Sequence, residues 1–344
     1  MVGFLIGAGH AGSALLDAVC ERGAGKNPRI AINPRVALEH VKKKEQYLLT
    51  DKGFFGSGDD EVGRRDFTDT AASASAMDSC DATLLGLLND NIQDAGFAII
   101  FLGLGGVTGT GISPIIARML SDLNIPIMVF GVLPARTGTG ADAHAQYRNV
   151  SYAIKHLRRY TDAFILMDNQ RIAYTSNIES AYPQFNQYAA AVISDLLSGS
   201  DPKVSTASSL GVRDLMSCIS ISEGGFSVFG RASVLSKDLP GYFIPVGGHK
   251  QIDVPTLIGV AIEKQSMDAD TKAARKSTAL LRVPSWYMKK ENAIDTESIE
   301  RFLYENSPDD HNLGISLTKR RLVTLTMLFT YQYDDLSKFL TMSP

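Results

Sequence analysis

An apolar run, Ala98-Ile99-Ile100-Phe101-Leu102, leads straight into Gly103-Leu104-Gly105-Gly106-Val107-Thr108-Gly109-Thr110-Gly111. Beyond it Ile115, Ile116, Met119 and Leu120 recur at helical spacing. The first part predicts a buried strand and the last a helix with one apolar face. Residues 103–111 hold five glycines and two threonines. A loop with so little side chain lets backbone N–H groups close on phosphate oxygens, and the dipole of the helix that follows favours the negative charge. An ordinary strand-to-helix turn uses a glycine for geometry alone. The spelling Gly-Gly-x-Thr-Gly-Thr-Gly at 105–111 points instead to a phosphate cradle.

Composition limits the rest. A chain of 344 residues has room for two domains or one large one. Its net charge of -3 gives no reason to expect a nucleic acid as partner. Cys20, Cys80 and Cys218 are scattered without metal-ligand or CxxC spacing, as in a reduced, cytoplasmic protein. Met1-Val2-Gly3-Phe4-Leu5-Ile6 lacks a basic leader and predicts a first strand rather than a signal peptide. No apolar run is long enough to cross a bilayer, so direct membrane insertion is not expected.

Strands are expected at 2–6, 29–33, 45–50 (weaker), 97–102, 125–132 and 163–167, with helices between them, including one from about residue 35. This alternation predicts an α/β fold, a Rossmann-like parallel sheet whose ligand loops lie at the carboxyl ends of the strands. A long helix over 182–198 follows, ending at Gly199-Ser200-Asp201-Pro202, a candidate hinge. Beyond it are expected a helix at 212–219, a strand at 226–234, a polar linker with apolar patches at 254–262, and a basic helix over 271–281. A strand at 281–283, a helix near 297–304 and a strand at 322–333 complete a second, α+β domain of mixed sheet. The expected boundaries are 1–180 for the nucleotide domain, 181–200 for the linking helix and 201–340 for the second domain.

The nucleotide class follows from what is missing. A P-loop needs a lysine after its glycines, and the only Gly-Lys, Gly25-Lys26, has no glycine at the required position upstream. Gly7-Ala8-Gly9-His10-Ala11-Gly12 has the GxGxxG shape of a dinucleotide fingerprint. Its second strand, however, ends in Asn33-Pro34-Arg35 with no carboxylate for a ribose. That weakens NAD, leaves NADP open, and leaves the loop at 103–111 unexplained.

Taken together, these stretches resemble the tubulin/FtsZ superfamily, most closely its archaeal CetZ branch. Gly9-His10-Ala11-Gly12 and Gly105–Gly111 resemble its two phosphate loops, and Ala31-Ile32-Asn33 its second loop. Gly56-Ser57-Gly58-Asp59-Asp60-Glu61-Val62-Gly63 resembles the third loop, and Asp168-Asn169-Gln170-Arg171 the end of its sixth strand. Gly131-Val132-Leu133-Pro134-Ala135-Arg136 is spelled as in the CetZ branch. The agreement in order and spacing covers about residues 2–235.

The resemblance implies GTP/GDP binding, with Gly7, Gly9, His10, Ala11, Gly12, Gly58, Gly105, Gly106, Val107, Thr108, Gly109, Thr110 and Gly111 around the phosphates. It implies Asn33 near the ribose or phosphates, Asn169 and Asn186 on the guanine edge, and Tyr182 stacked on the base. Magnesium, Mg2+, is the implied metal, held through water by Asp59, Asp60 or Glu61. Arg136 or Asp142 stands where a ribose grip is wanted. The family assembles head-to-tail, each subunit completing its neighbour's GTPase site, so the implied partners are copies of this chain and related family members, in cell shape or division.

The catalytic motif is only partly kept. In Ser209-Leu210-Gly211-Val212-Arg213-Asp214 the family's first acid is a glycine, and Asp214 alone remains as the implied catalytic carboxylate. An aspartate there equally suits the first turn of a helix. Val107 replaces a glycine and is expected to crowd the cradle.

Overall fold

The computed structural model describes residues 2–24, 26–33, 38–48, 86, 88–90, 92, 95–136, 141–174, 177–199, 206, 208–222, 224–236, 252–285, 287 and 294–336. The chain forms two compact units, Met1–Ser194 and Asp195–Met342.

In the first unit the strands are β1 (Val2–Ala8), β2 (Arg29–Asn33), β3 (Gln46–Leu48), β4 (Ala95–Gly103), β5 (Ile127–Leu133) and β6 (Ala163–Asp168). They lie in the order β3-β2-β1-β4-β5-β6, and every pair is parallel. Helices α1 (Gly9–Val19), α2 (Val107–Asp122) and α3 (Ala141–Leu157) connect them, and α4 begins at Ile178 and runs to Ser198. All residues of β5 and β6 are buried, which is why these strands read as unbroken apolar runs. Phe101 and Phe130 lie on neighbouring strands with ring centroids 6.2 Å apart. Each such buried side chain contributes on the order of 1.5–3 kcal/mol through removal of apolar area from water.

The helix expected from about residue 35 is not found among residues 38–45, which hold bends and a short 3-10 turn, Lys43–Glu45. Their backbone donors are taken by side chains instead. The Asp17 carboxylate accepts from His40 N at 2.7 Å and Val41 N at 3.1 Å, and Glu45 accepts from Lys42 N at 3.2 Å. Helix α4 starts one turn before the expected Tyr182, because the Asn177 side chain caps it through Ser180 N at 3.2 Å.

The second unit contains α5 (Val212–Ile219), β7 (Gly225–Leu235), α6 (Val254–Glu263), β8 (Lys276–Pro284), α7 (Thr296–Asn306), β9 (His311–Thr318) and β10 (Leu322–Gln332). Its sheet runs β7-β10-β8-β9; the first two pairs are antiparallel and the last parallel, so the sheet is mixed as expected. The basic stretch read as a helix over 271–281 is a 3-10 turn, Thr271–Ala273, followed by β8. Helix-favouring composition lost there to pairing on both sides, by β10 and β9. The apolar patches at 254–262 are a regular helix with Val254, Leu257, Ile258 and Ala261 buried, capped by Asp253 on Thr256 N at 3.2 Å.

The two faces of this sheet differ. On β10, Leu325, Met327 and Phe329 share one face and Thr324, Thr326, Leu328 and Thr330 the other, all of them buried. On the threonine side sits Asp195, near the end of α4. Its carboxylate accepts from Arg231 Nε at 2.6 Å, Arg282 at 2.8 Å and Thr326 Oγ1 at 2.8 Å. Three donors around one buried carboxylate offset its desolvation, whereas removing the carboxylate leaves two arginines uncompensated. Asp195→Ala is therefore expected to lower unfolding free energy by about 3–5 kcal/mol, read from urea titration.

The other testable element is His40, whose Nδ1 lies 3.2 Å from Asp17 Oδ2. The hydrogen bond to Asp17 raises the His40 pKa above 6.5. A raised histidine stabilises the fold fully below the unfolded-state value and ceases to do so as pH rises through the folded value. Stability measured at about pH 5.5 and about pH 8.5 should accordingly differ less in His40→Gln than in the unmutated chain.

Candidate nucleotide site

Strands β1 and β4 are parallel neighbours, and Ala8 pairs in register with Leu102, so both end at the same level. β1 passes at once into α1 at Gly9, and β4 reaches α2 at Val107 after Leu104-Gly105-Gly106. Five residues of the expected loop, Val107 to Gly111, are thus the first turns of α2. The two turns touch backbone to backbone. Gly9 has φ +71°, and a Cβ there would lie 2.8 Å from Gly109 N; one on Gly109 would lie 2.9 Å from Ala8 O. Only glycine at both positions permits this approach. Gly106, in contrast, faces open space, with nothing within 4 Å of the position of a Cβ.

Neither helix has a side-chain cap or an acidic residue in its first turn. The first-turn N–H groups of two helices therefore open toward the same edge without a local carboxylate, and both dipoles favour an anion there. The threonines divide their work. Thr110 is fully buried and its hydroxyl lies 2.5 Å from Gly106 O and 3.0 Å from Val107 O, so its proton is used within α2. Thr108 is half-buried. Val107 does not crowd the opening as expected: it is 6% exposed, its isopropyl group packed into the protein.

A residue that sequence reasoning missed holds this loop. Asn149, on α3 and buried, donates Nδ2–H to Gly105 O at 2.9 Å. That bond fixes the Gly105-Gly106 peptide, whose N–H points the opposite way. A carboxamide on an amphipathic helix carries no motif, so nothing in the sequence marked it.

At the far end of the sheet Asp168 closes β6. Its Oδ1 accepts from Gln170 N at 2.9 Å and its Oδ2 from Arg136 at 3.1 Å, while Arg136 N donates to Gln170 Oε1 at 2.7 Å. Burial raises the Asp168 pKa, and the Gln170 amide and Arg136 only partly oppose this. Arg136 is thus bound to the end of β6. The lock brackets Asn169, half-buried at the start of a 3-10 turn. On α4, Tyr182 is 36% exposed and Asn186 is half-buried one turn further along. The adjacent Gln187 bonds Arg22 Nε at 2.8 Å and also Glu21, tying this part of α4 to the turn after α1. Asn33 is buried at the end of β2. Exposed His10 and half-buried Ala11 follow Gly9 on α1.

Gly58, Asp59, Asp60 and Glu61 lie outside the described residues, as does the Asp142 side chain. Among the described residues no group of three His, Cys, Asp or Glu side chains is placed to hold a metal. Nor, among them, is any helix long and apolar enough to cross a membrane. Burial pushes the Cys20 thiol up to about 11, so it is not a nucleophile at neutral pH. In the second unit Asp214 is exposed in the first turn of α5, and its Oδ2 accepts from Gly211 N at 3.2 Å.

Residues 4–177 match the family model described as "Tubulin/FtsZ family, GTPase domain". The chain belongs to the Tubulin/FtsZ family. Among curated relatives it is 29% identical over 238 residues to tubulin-like protein CetZ2 of Haloferax volcanii, covering 67% of this chain and 62% of that protein. It is 24% identical over 230 residues to cell division protein FtsZ of Aquifex aeolicus, covering 66% and 58%. The match thus spans about three-fifths of these relatives' length. In fold it is similar to CetZ2 of Haloferax volcanii in a GTPgS-bound protofilament, with TM-score 0.74 and 18% identity over 99% of this chain and 96% of that one. It is equally similar to CetZ of Methanosaeta thermophila, with TM-score 0.74 and 19% identity over 99% and 89%. Family membership displaces the dinucleotide reading of Gly7–Gly12, whose turn packs against a second glycine loop.

Asn149→Ala is expected to weaken binding of a phosphate-bearing ligand by about tenfold through loss of the fixed peptide, at a stability cost of about 1 kcal/mol. Equilibrium titration with a fluorescent nucleotide, beside thermal unfolding, separates the two effects.

Proposed function

We propose that the chain binds guanine nucleotide at the carboxyl edge of the first sheet and assembles head-to-tail into filaments, in the cytoplasm. The observation that carries this reading is the contact of Gly9 with Gly109, which brings two uncapped helix N-termini to one anion site. Gly105, Gly106 and the N–H groups of α2 surround the terminal phosphates, and Gly9 to Gly12 the inner ones. Asn169, Tyr182 and Asn186 take the base, with Asn33 near the ribose. Relatives solved as protofilaments support self-association. Cell shape or division is the role this suits, with related family members as further partners. Magnesium belongs with this ligand, and its candidate carboxylates, Asp59 to Glu61, stand outside the described residues.

Hydrolysis is completed in trans, with the Asp214 carboxylate of the next subunit orienting or deprotonating the attacking water. A second reading, a nucleotide-dependent scaffold without hydrolysis, is favoured by the bond from Gly211 N, which gives Asp214 a capping role. Asparagine accepts the same capping bond but cannot take a proton, so Asp214→Asn discriminates. In trans catalysis predicts that filament-dependent phosphate release falls about a hundredfold or more with filaments intact. An unchanged rate assigns Asp214 to the helix cap. Nucleotide released by heat and identified by chromatography tests the binding itself: guanine nucleotide is expected, and NADP would sink the reading.

A further inference from the structure

Away from the nucleotide edge, charge is sharply segregated along the chain. Residues 143–161 contain no aspartate or glutamate and carry Arg148, Lys155, Arg158 and Arg159, with His144 and His156. All four cations are exposed. Arg148, Lys155 and Arg159 recur at i, i+7 and i+11, which places them in one stripe along α3 and the turn that ends it. Among the described residues no carboxylate lies within ion-pair distance of Lys155, Arg158 or Arg159. Asp162, the acid next in sequence, accepts from Ile127 N at 2.7 Å. The uncompensated charge is felt locally: burial first, then Arg159 and Lys155, holds His156 below its ordinary value.

The complementary surface is on the same chain. Residues 295–310 carry Asp295, Glu297, Glu300, Glu305, Asp309 and Asp310 against one cation, Arg301. Asp295 is used as the cap of α7 and Asp310 pairs with Lys276 at 2.7 Å. Arg301 donates to the Ser298 hydroxyl rather than to an acid. Glu297, Glu300, Glu305 and Asp309 are exposed. Tyr304 stands among them at 57% exposure, edge-on to His311 with ring centroids 5.7 Å apart.

We propose that the basic face of α3 docks on the acidic face of α7 in a second copy of this chain. It is a heterologous contact, steered by opposite charge and anchored by Tyr304. The proposal rests on the reading that copies of the chain associate. An anionic membrane is disfavoured because α3 exposes no large apolar side chain to enter it. A nucleic acid is disfavoured by the net charge of -3 and by the acidic α7.

The test is sedimentation velocity on the full chain at about 50 and about 500 mM salt, with and without GTP. Association should weaken at the higher salt. Lys155→Glu with Arg159→Glu should raise the half-association concentration about tenfold, as should Glu297→Lys with Glu300→Lys. All four substitutions together should restore it to within about threefold. Fluorescent GTP binding is read on every variant and should not change. If the unmutated chain fails to bind GTP, the nucleotide reading falls while the association measured without nucleotide still judges the contact. Association that is indifferent to both reversals, or not restored by the fourfold exchange, overturns the proposal. So does loss of binding to phosphatidylserine vesicles or duplex DNA on reversing α3 while self-association stays unchanged, which would assign that face to another partner.

Discussion

The first unit depends on one close approach, the backbone of Gly9 against the backbone of Gly109. Two parallel strands end at one level, and each turns into a helix, the first at once and the second after Leu104-Gly105-Gly106. With side chains at either position the helices would be pushed apart and their N-termini would diverge. With glycine they converge, and the partial positive charges of both ends act on the same small volume. The rest of the unit serves that convergence. The fully buried strands fix the level, Asn149 fixes the Gly105 carbonyl, and the Asp168–Arg136–Gln170 lock fixes the other end of the edge. Polar side chains here spend their hydrogen bonds on holding backbone in place, which keeps a backbone-lined site rigid.

What could be read from the sequence was what local chemistry enforces. Continuous apolar strands, the glycine spellings at their carboxyl ends and the helix at 212–219 have local causes, and the structure places them where the residues put them. What could not be read depends on residues distant in the chain. Lys276 to Leu281 has the composition of a helix, and only the strands on either side make it β8. Arg231, Arg282 and Asp195 look like surface charges until the fold gathers them. Asn149 has no spacing to any motif. Helix α6 is the exception: Asp253, Pro255 and the apolar positions 254, 257, 258 and 261 form a cap and a stripe that a stricter count of periodicity would have found.

Val107 and Thr110 show how a motif's spelling misleads when it is read as a row of contacts. Because α2 starts at Val107, residues 107–111 wind around a helix turn rather than lining a loop. Successive residues point about 100° apart, so they cannot all face one ligand. Val107 turns into the protein, and Thr110 returns its hydroxyl proton to the helix. A valine at the third position of Gly-Gly-Val is therefore compatible with an open cradle. The opening is made at Gly106, where the position of a Cβ meets nothing.

The second unit is organised around a buried carboxylate held by two arginines. One face of its sheet gathers Thr326 and two arginines around a single carboxylate, beside the buried Leu328, Phe229 and Leu280. Such a network is a poor source of net stability compared with apolar packing, but it is intolerant of alternatives. Arg231 and Arg282 come from β7 and β8, on the two sides of β10, which itself contributes Thr326. All three donors reach Asp195 only when these strands hold their register and the end of α4 lies over them. A slip of one residue would turn every one of these groups to the opposite face. The Asp195 cluster thus specifies the register of β7, β10 and β8 around one carboxylate, which hydrophobic contacts alone would leave free to slip.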